Sequence, residues 1–173
     1  MRSDRRAKIL EAATELFRER GFHAVGVDEI GEAAGITGPG VYRHFARKDD
    51  LLVSVFDAAT DDLWEGPEGG ASLEDYVASH VDYAIDHAHA IELWYQERRH
   101  LPAEAQAKQR RIQRRYVVRW VTALRAERPE LDEDGARLRC QAAIGLIHSF
   151  ALGGEVGKRE LVVRMALAAL RVP

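Results

Sequence analysis

The sequence has very little cysteine and no long apolar run. Cys140 is the only cysteine in the 173 residues, which excludes an internal disulfide and fits a reducing compartment. No stretch approaches the roughly 20 apolar residues that a membrane-spanning helix needs. The N-terminal stretch MRSDRRAKILEAATELF interleaves charged with apolar residues, unlike a signal peptide. We therefore expect a cytoplasmic protein that is not inserted in a membrane.

The chain also lacks an excess of positive charge and any recognisable catalytic motif. Its formal net charge is −3, and residues 1–50 hold nine Lys/Arg and nine Asp/Glu. A prediction of nucleic-acid binding must therefore rest on where the charges lie. The sequence has no HExxH, GxSxG or GxxxxGK[ST] motif. We predict no metal, no cofactor and no enzymatic activity; the alternative of another class is a helical enzyme or lipid-carrying protein.

What the chain does have is helical periodicity from end to end. Apolar residues recur three and four positions apart, and Gly, Pro or capping residues separate the segments. The clearest loop is GPEGGA, residues 66–71. No segment alternates like a strand. We predict an all-α fold of nine helices, the first ending at Gly21 and the others at about 27–34, 38–45, 48–64, 72–87, 89–100, 103–128, 132–152 and 158–170.

The stretch GITGPGVYRHF, residues 35–45, has the dimensions of a helix-turn-helix. Two short helices are joined by three residues that begin with Gly35. Thr37 can cap the second helix, and Pro39 is tolerated in a first turn. Gly38 and Gly40 let the backbone approach DNA closely. The alternative is a tight corner between two helices of an all-α protein.

Five residues with hydrogen-bond donors or positive charge lie within seven positions at the end of this stretch and just after it. They are Tyr42, Arg43, His44, Arg47 and Lys48. Together they suit a row of phosphate contacts.

The run from Gly21 to Leu52, GFHAVGVDEIGEAAGITGPGVYRHFARKDDLL, resembles the DNA-binding domain of the tetracycline-repressor (TetR) family. The resemblance implies a nine-helix TetR-like architecture, with a helix-turn-helix domain at residues 1–50 and a ligand-binding and dimerisation domain at residues 51–173. It implies a homodimeric transcriptional regulator, most simply a repressor, that binds a palindromic operator in double-stranded DNA and is released by a small-molecule inducer.

The resemblance also assigns contacts. It implies phosphate contacts from Tyr42, His44 and Lys48, and base or backbone contacts from Thr37, Gly38, Gly40 and Arg43. The chain departs from the family at Gly26, Gly38 and Gly40, where hydroxyl residues, Lys or Ala are common. With few other base-reading side chains, Arg43 is the strongest candidate for reading guanine.

Small residues form stripes on the last two predicted helices, where the resemblance implies the dimer interface. The alternative is that these stripes pack inside one subunit. The predicted dimerisation residues are Cys140, Ala143, Ile144, Ile147, Ala151, Leu161, Met165 and Ala168.

Aromatic and basic residues concentrate in the sixth and seventh helices. Core packing and a solvated basic face are the alternatives to a ligand site, and a regulator with a vestigial pocket is the alternative function. An apolar wall with a nearby guanidinium predicts an elongated ligand with an anionic end, such as a fatty acid or an acyl-CoA. The predicted ligand-binding residues are Trp94, Tyr95, Arg98, Tyr116, Trp120 and Phe150.

Overall fold

The computed structural model describes residues 2–64, 67, 70–154 and 156–172, and every regular element in these ranges is helical. This confirms the predicted all-α fold of nine α-helices for the described part of the chain. Of the predicted loop, residues 66, 68 and 69 lie outside the described residues. The α-helices are α1 (Arg2–Arg20), α2 (Val27–Ala33), α3 (Gly38–Tyr42), α4 (Lys48–Trp64), α5 (Leu73–Asp86), α6 (Ala88–Glu97), α7 (Ala103–Glu127), α8 (Glu133–Leu152) and α9 (Arg159–Leu170).

Side-chain caps explain where three of the helices begin. Thr37, Ser72 and Asp132 each accept a hydrogen bond from the backbone N–H three residues later, which satisfies a donor that the first turn leaves free. The Asp75 carboxylate also accepts from the Ser72 N–H at 3.0 Å, so the predicted capping box is present.

Two helices end earlier than predicted because their last turns tighten. After α3, the His44 N–H donates to the carbonyl of Val41, three residues back, at 2.8 Å, which is the 3-10 pattern. After α6, Arg98–His100 form a 3-10 turn. Gly21 and Gly35 follow α1 and α2 with φ of 81° and 70°, which glycine adopts without strain.

The chain divides into two compact units, and both are discontinuous in sequence. The first unit contains Met1–Ala59 and His89–Ala107, and the second contains Thr60–Ala88 and Lys108–Pro173. The predicted division at residues 50 and 51 and the division between the units at residues 59 and 60 both fall inside α4. The first unit therefore contains the predicted helix-turn-helix together with most of α6.

Each unit has its own apolar core. In the first unit, aromatic residues of α1, α4 and the segments after α1 and α3 meet Leu93 and Leu101 in one buried cluster. In the second unit, α5, α8 and α9 pack against one another, with Leu73, Ile147 and Leu170 fully buried. No helix in the described ranges is long and apolar enough to cross a membrane.

The predicted dimerisation stripe of α8 is buried within the chain itself. Cys140, Ala143, Ile147 and Ala151 are buried, so they have no free surface to give to a partner, and this part of the prediction is wrong. The cause is periodicity: these residues lie three and four positions apart on the face that packs inward. Ile144 is half-buried, whereas Leu161, Met165 and Ala168 of α9 are exposed.

Candidate nucleic-acid interface

The α2 and α3 helices approach each other closely because one side of the crossing has no side chain. A Cβ at Gly31 would lie 2.9 Å from both the Gly38 nitrogen and the Thr37 carbonyl carbon. The Ile36 N–H donates to the Gly31 carbonyl at 2.8 Å and holds the turn against α2. The geometry of the helix-turn-helix therefore depends on a glycine at position 31, which the sequence pattern does not single out.

The first turn of α3 explains the crowding of glycine and proline in the sequence. Thr37 Oγ1 accepts from the Gly40 N–H at 3.3 Å, and Pro39 lies in the first turn, where it removes no intrahelical hydrogen bond. Thr37 and Pro39 are exposed and Gly40 is half-buried. The predicted cap is confirmed, and this end of α3 presents backbone with few side chains.

The structure corrects the prediction for one member of the interface, Gly38. It is buried, and a Cβ there would run into the Asp28 carboxylate and lie 3.3 Å from the Asp28 Cα. Gly38 is buried under α2, so the structure does not support the base or backbone contact predicted for it. Its glycine serves the packing of α3 under α2.

Tyr42 and Arg43 are two exposed members of the predicted contacts. Tyr42 is 54% exposed, which is high for an aromatic residue, and Arg43 is also exposed. Neither side chain has a hydrogen-bond or ion-pair partner among the described residues. Their buried neighbour Val41 fixes the helix against the core, so the two polar side chains project from a rigid base.

Arg47 and Lys48 differ in how the fold uses them. Arg47 pairs with Asp50, with Nη2 3.2 Å from Oδ1. Lys48 lies with its Nζ 4.5 Å from the centroid of the Phe22 ring, a cation–π contact, and burial lowers the pKa of Lys48. Both stand at the start of α4, and only Lys48 is held in place by the core.

His44 and Arg43 line one side of an open groove of about 580 Å³. The opposite side is formed by the start of α1, which the sequence analysis did not include in the interface. Arg5 and Lys8 lie there; their positions one helical turn apart were the available signal.

A buried carboxylate supports the turn between α1 and α2. Glu97 is only 7% exposed, and its carboxylate accepts from the Phe22 N–H at 3.0 Å. His23 and His100 interact beside it, with Nε2 to Nδ1 at 2.9 Å. Sequence reasoning missed Glu97 because its partner is 75 positions away, beyond the reach of any periodic pattern.

The predicted ligand residues divide between the two units. Trp94, Tyr95 and Arg98 belong to the first unit, where the Arg98 guanidinium lies 6.0 Å from the centroid of the Trp94 ring. Tyr95 is exposed. Tyr116, Trp120 and Phe150 belong to the second unit. The Trp94 and Arg98 side chains lie together in the first unit, and the Tyr116 and Trp120 rings lie together in the second, with centroids 6.2 Å apart.

In the second unit, Tyr116 joins a chain of buried polar groups. Its hydroxyl lies 3.0 Å from His80 Nδ1, and His80 Nε2 lies 3.1 Å from His148 Nε2. The tautomers of the two histidines set which group donates in each of these contacts. His80 was missed although it lies on the apolar face of α5, which is the signal that could have indicated it.

Burial keeps these groups uncharged. It lowers the pKa of His80 well below its usual value and that of His148 to about 4. Burial also raises the pKa of the Tyr116 phenol, which the nearby Trp120 indole opposes. The Trp120 N–H itself is buried without reaching hydrogen-bond geometry to any described acceptor. Within the described part of the chain, no three His, Cys, Asp or Glu side chains are grouped so as to hold a metal.

These features define a helical protein of the helix-turn-helix class: a short capped helix crosses another through a three-residue turn and exposes polar side chains beyond it. A model of the bacterial regulatory proteins of the tetR family matches residues 9–55, which run from α1 into α4. The segment from α1 into α4 thus matches the tetR family, in agreement with the sequence resemblance.

The similar proteins include a transcriptional activator and a transcriptional repressor. The transcriptional activator FasR of Mycolicibacterium smegmatis is 43% identical over 65 residues, which cover 38% of this chain and 30% of FasR. The transcriptional repressor KstR2 of Rhodococcus jostii is 34% identical over 111 residues, covering 59% of this chain and 54% of KstR2. The chain thus spans about half or less of the length of these two relatives.

The similarity of the fold extends over almost the whole chain. The structure of AibR in complex with isovaleryl coenzyme A and operator DNA has a TM-score of 0.76 at 18% identity, covering 96% of this chain and 97% of AibR.

Proposed function

We propose that this protein is a ligand-responsive transcriptional regulator that binds a palindromic operator as a homodimer. The observation that carries the proposal is the capped, side-chain-poor start of α3, followed by the exposed Tyr42 and Arg43. The family match over residues 9–55 supports it. DNA recovered by the protein from a random-sequence pool tests it: an inverted repeat is the expected product, and a pool without enrichment contradicts it.

The homodimer is supported by exposed apolar residues on α8 and α9. Leu138 is 69% exposed, and Leu161 and Met165 expose nearly half of their surface. On α9, positions 161, 165 and 168 share one face at helical spacing. This exposed face replaces the buried stripe as the proposed interface. A two-fold dimer would present two α3 helices to half-sites roughly 34–36 Å apart.

Charge placed on this face tests the dimer. Met165→Arg is expected to give monomers in light scattering at micromolar concentration and to weaken binding to the inverted repeat. Val118→Arg is the matched control, since Val118 is also about half exposed but lies on α7. A Met165→Arg variant that remains dimeric would contradict this interface.

We propose repression as the mode of action, with release by a fatty acid or an acyl-CoA. The AibR complex with isovaleryl coenzyme A supports the ligand class. Since relatives include an activator and a repressor, a reporter gene behind the recovered operator tests the direction: repression that long-chain acyl-CoA relieves is expected.

The ligand class is tested by titrating the protein–DNA complex with acyl-CoAs, free fatty acids and neutral hydrophobes. Arg98→Ala is expected to weaken release by the anionic compounds, whereas Arg99→Ala serves as the neighbouring control. Equal release by neutral hydrophobes would contradict an anionic anchor. If no compound binds in calorimetry, the vestigial pocket replaces the ligand-responsive function.

A further inference from the structure

The open groove beside α3 has a wall that is not part of the proposed interface. It is formed within the first unit by the start of α1, by the turn after α2 and by the end of α3. The lining residues that matter here are Asp4, Arg5, Lys8, Arg43 and His44, with residues 34–36 forming the floor.

The groove contains more positive than negative charge, and the fold does not neutralise it. Arg5, Lys8 and Arg43 are cationic, and among the described residues Asp4 is the one carboxylate that lines the groove. All four are exposed, and none has an ion pair or hydrogen bond to a residue that the structure describes.

Other cations of the same unit serve the fold. Arg6, next along α1, donates to Ser54 Oγ at 3.0 Å and lies 4.7 Å from the centroid of the Phe45 ring. Arg18 is paired with Glu15 and Arg20 with Glu29, each at 2.6 Å. The contrast separates cations that stabilise the unit from those that face the groove.

The floor of the groove leaves room for a bulky anion. Gly35 has φ of 70°, and a Cβ there would meet nothing within 4 Å. Arg5 and Lys8 are three positions apart on α1, which puts their Cβ atoms roughly 5–6 Å apart on one face. Two long side chains at that separation can reach different phosphates of one strand, and the groove continues to Arg43 on α3.

We propose that this groove holds a stretch of the DNA sugar–phosphate backbone, with Arg5 and Lys8 as phosphate-binding residues on α1. The inference rests on the proposed function and adds a second element to the interface. Phosphate contacts position a protein without reading sequence, so Arg5 and Lys8 contribute affinity and salt dependence but no base preference. The negatively charged Asp4 carboxylate repels the same phosphates.

Salt-dependent binding tests the proposal on two duplexes: one recovered by the wild-type protein from a random pool, and a scrambled duplex of equal length. Arg5→Ala and Lys8→Ala are each expected to weaken binding to both duplexes by ~3- to 10-fold and to reduce the slope of log K against log salt by about one. The ratio of the two affinities is expected to stay unchanged.

Asp4→Asn provides a test of opposite sign. Removing this carboxylate is expected to strengthen binding to both duplexes at low salt, and the gain should shrink as screening increases. Arg111→Ala and Asp134→Asn make the same charge changes at exposed positions of the second unit and are expected to change neither affinity nor slope. Unchanged thermal unfolding verifies that each variant folds.

The outcomes separate this inference from the function on which it rests. If Lys48→Ala lowers affinity and slope while Arg5→Ala and Lys8→Ala do not, α1 lies outside the interface and the inference is wrong, although the proposed function stands. If Asp4→Asn fails to strengthen binding, the groove does not face phosphate. If the wild-type protein binds neither duplex, the proposed function itself fails.

Discussion

Replacing Gly31 by Ala tests the close approach of α2 to α3. An added Cβ would lie 2.9 Å from the Gly38 nitrogen and the Thr37 carbonyl carbon, and 3.1 Å from the Ile36 oxygen. Favourable contacts between such atoms need about 3.5–4.0 Å. All three neighbours are backbone atoms and cannot rotate away, so α3 must move by roughly 0.5–1 Å relative to α2.

The expected free-energy change follows from two opposing effects. Overpacking costs about 1–3 kcal/mol, and backbone atoms on both sides favour the upper end of that range. Ala is preferred over Gly inside a helix by about 1 kcal/mol. The expected result is a net loss of about 2 kcal/mol in the free energy of unfolding of the first unit.

Gly40→Ala is the matched control because it makes the same chemical change one helix away. Its Cβ would meet Thr37 Oγ1 at 3.4 Å and Ile36 carbon atoms at 3.5 Å, which are ordinary contacts. This variant is expected to gain up to about 1 kcal/mol. The two substitutions therefore differ in sign, which removes the general preference of helices for Ala from the comparison.

Urea unfolding at one fixed protein concentration measures both variants, and amide exchange locates the effect. The Ile36 N–H, which bonds to the Gly31 carbonyl, is expected to lose protection in Gly31→Ala and to keep it in Gly40→Ala. Affinity for DNA is expected to fall in Gly31→Ala as α3 shifts. Equal or higher stability of Gly31→Ala than of wild type would refute the reasoning.

Three further results are expected. Lys48→Ala should weaken DNA binding equally on all sequences and reduce the slope of log K against log salt by about one. Arg43→Ala should lower the binding free energy by about 1–3 kcal/mol and relax the preference at one base pair. Parallel losses of both variants on cognate and scrambled DNA would contradict this division of roles. Glu97→Ala should lower the free energy of unfolding by about 1–3 kcal/mol because the Phe22 N–H loses its buried acceptor, and Glu97→Gln should recover most of it in urea unfolding. Burial lowers the pKa of His148 to about 4, so the unfolded chain takes up a proton near pH 6.5 that the folded chain refuses; the stability present above that pH should fall by about 3 kcal/mol toward pH 4. His80, whose pKa burial also lowers, adds to the same loss, so His148→Gln should reduce the slope of the urea-unfolding profile between these pH values without abolishing it. An unchanged profile would show that His148 is not buried in its neutral form.

The helices and the helix-turn-helix could be predicted because their causes are local. Thr37, Ser72 and Asp132 cap the next turn, and Gly21 and Gly35 end helices through their own backbone angles. Each of these effects acts within about four residues, which is the range that periodicity and capping rules describe.

The wrong predictions for the α8 stripe and for Gly38 have a different cause. The α8 stripe was correctly identified as one helical face, but periodicity alone does not tell whether a face packs within the subunit or against a partner. The exposed face of α8 around Leu138 carries fewer large apolar residues, and its exposure became visible only with α5 and α9 in place. Gly38 was misjudged similarly, since the Asp28 carboxylate that covers it is brought there by the tertiary crossing of α2 and α3.

The balance of charge in the first 50 residues conceals how those charges are used. At least three of the nine carboxylates there form local contacts: Glu15 pairs with Arg18, Glu29 caps α2 through the Gly26 N–H and pairs with Arg20, and Asp50 pairs with Arg47. Each pairing removes one cation and one anion from the surface that DNA would meet. Arg5, Lys8 and Arg43 have no such partner among the described residues and line the groove beside α3 with one carboxylate, Asp4, so a chain that is acidic overall presents more positive than negative charge at this site. Affinity for a polyanion depends on the field at the point of contact, and that field is set by which charges the fold has already paired.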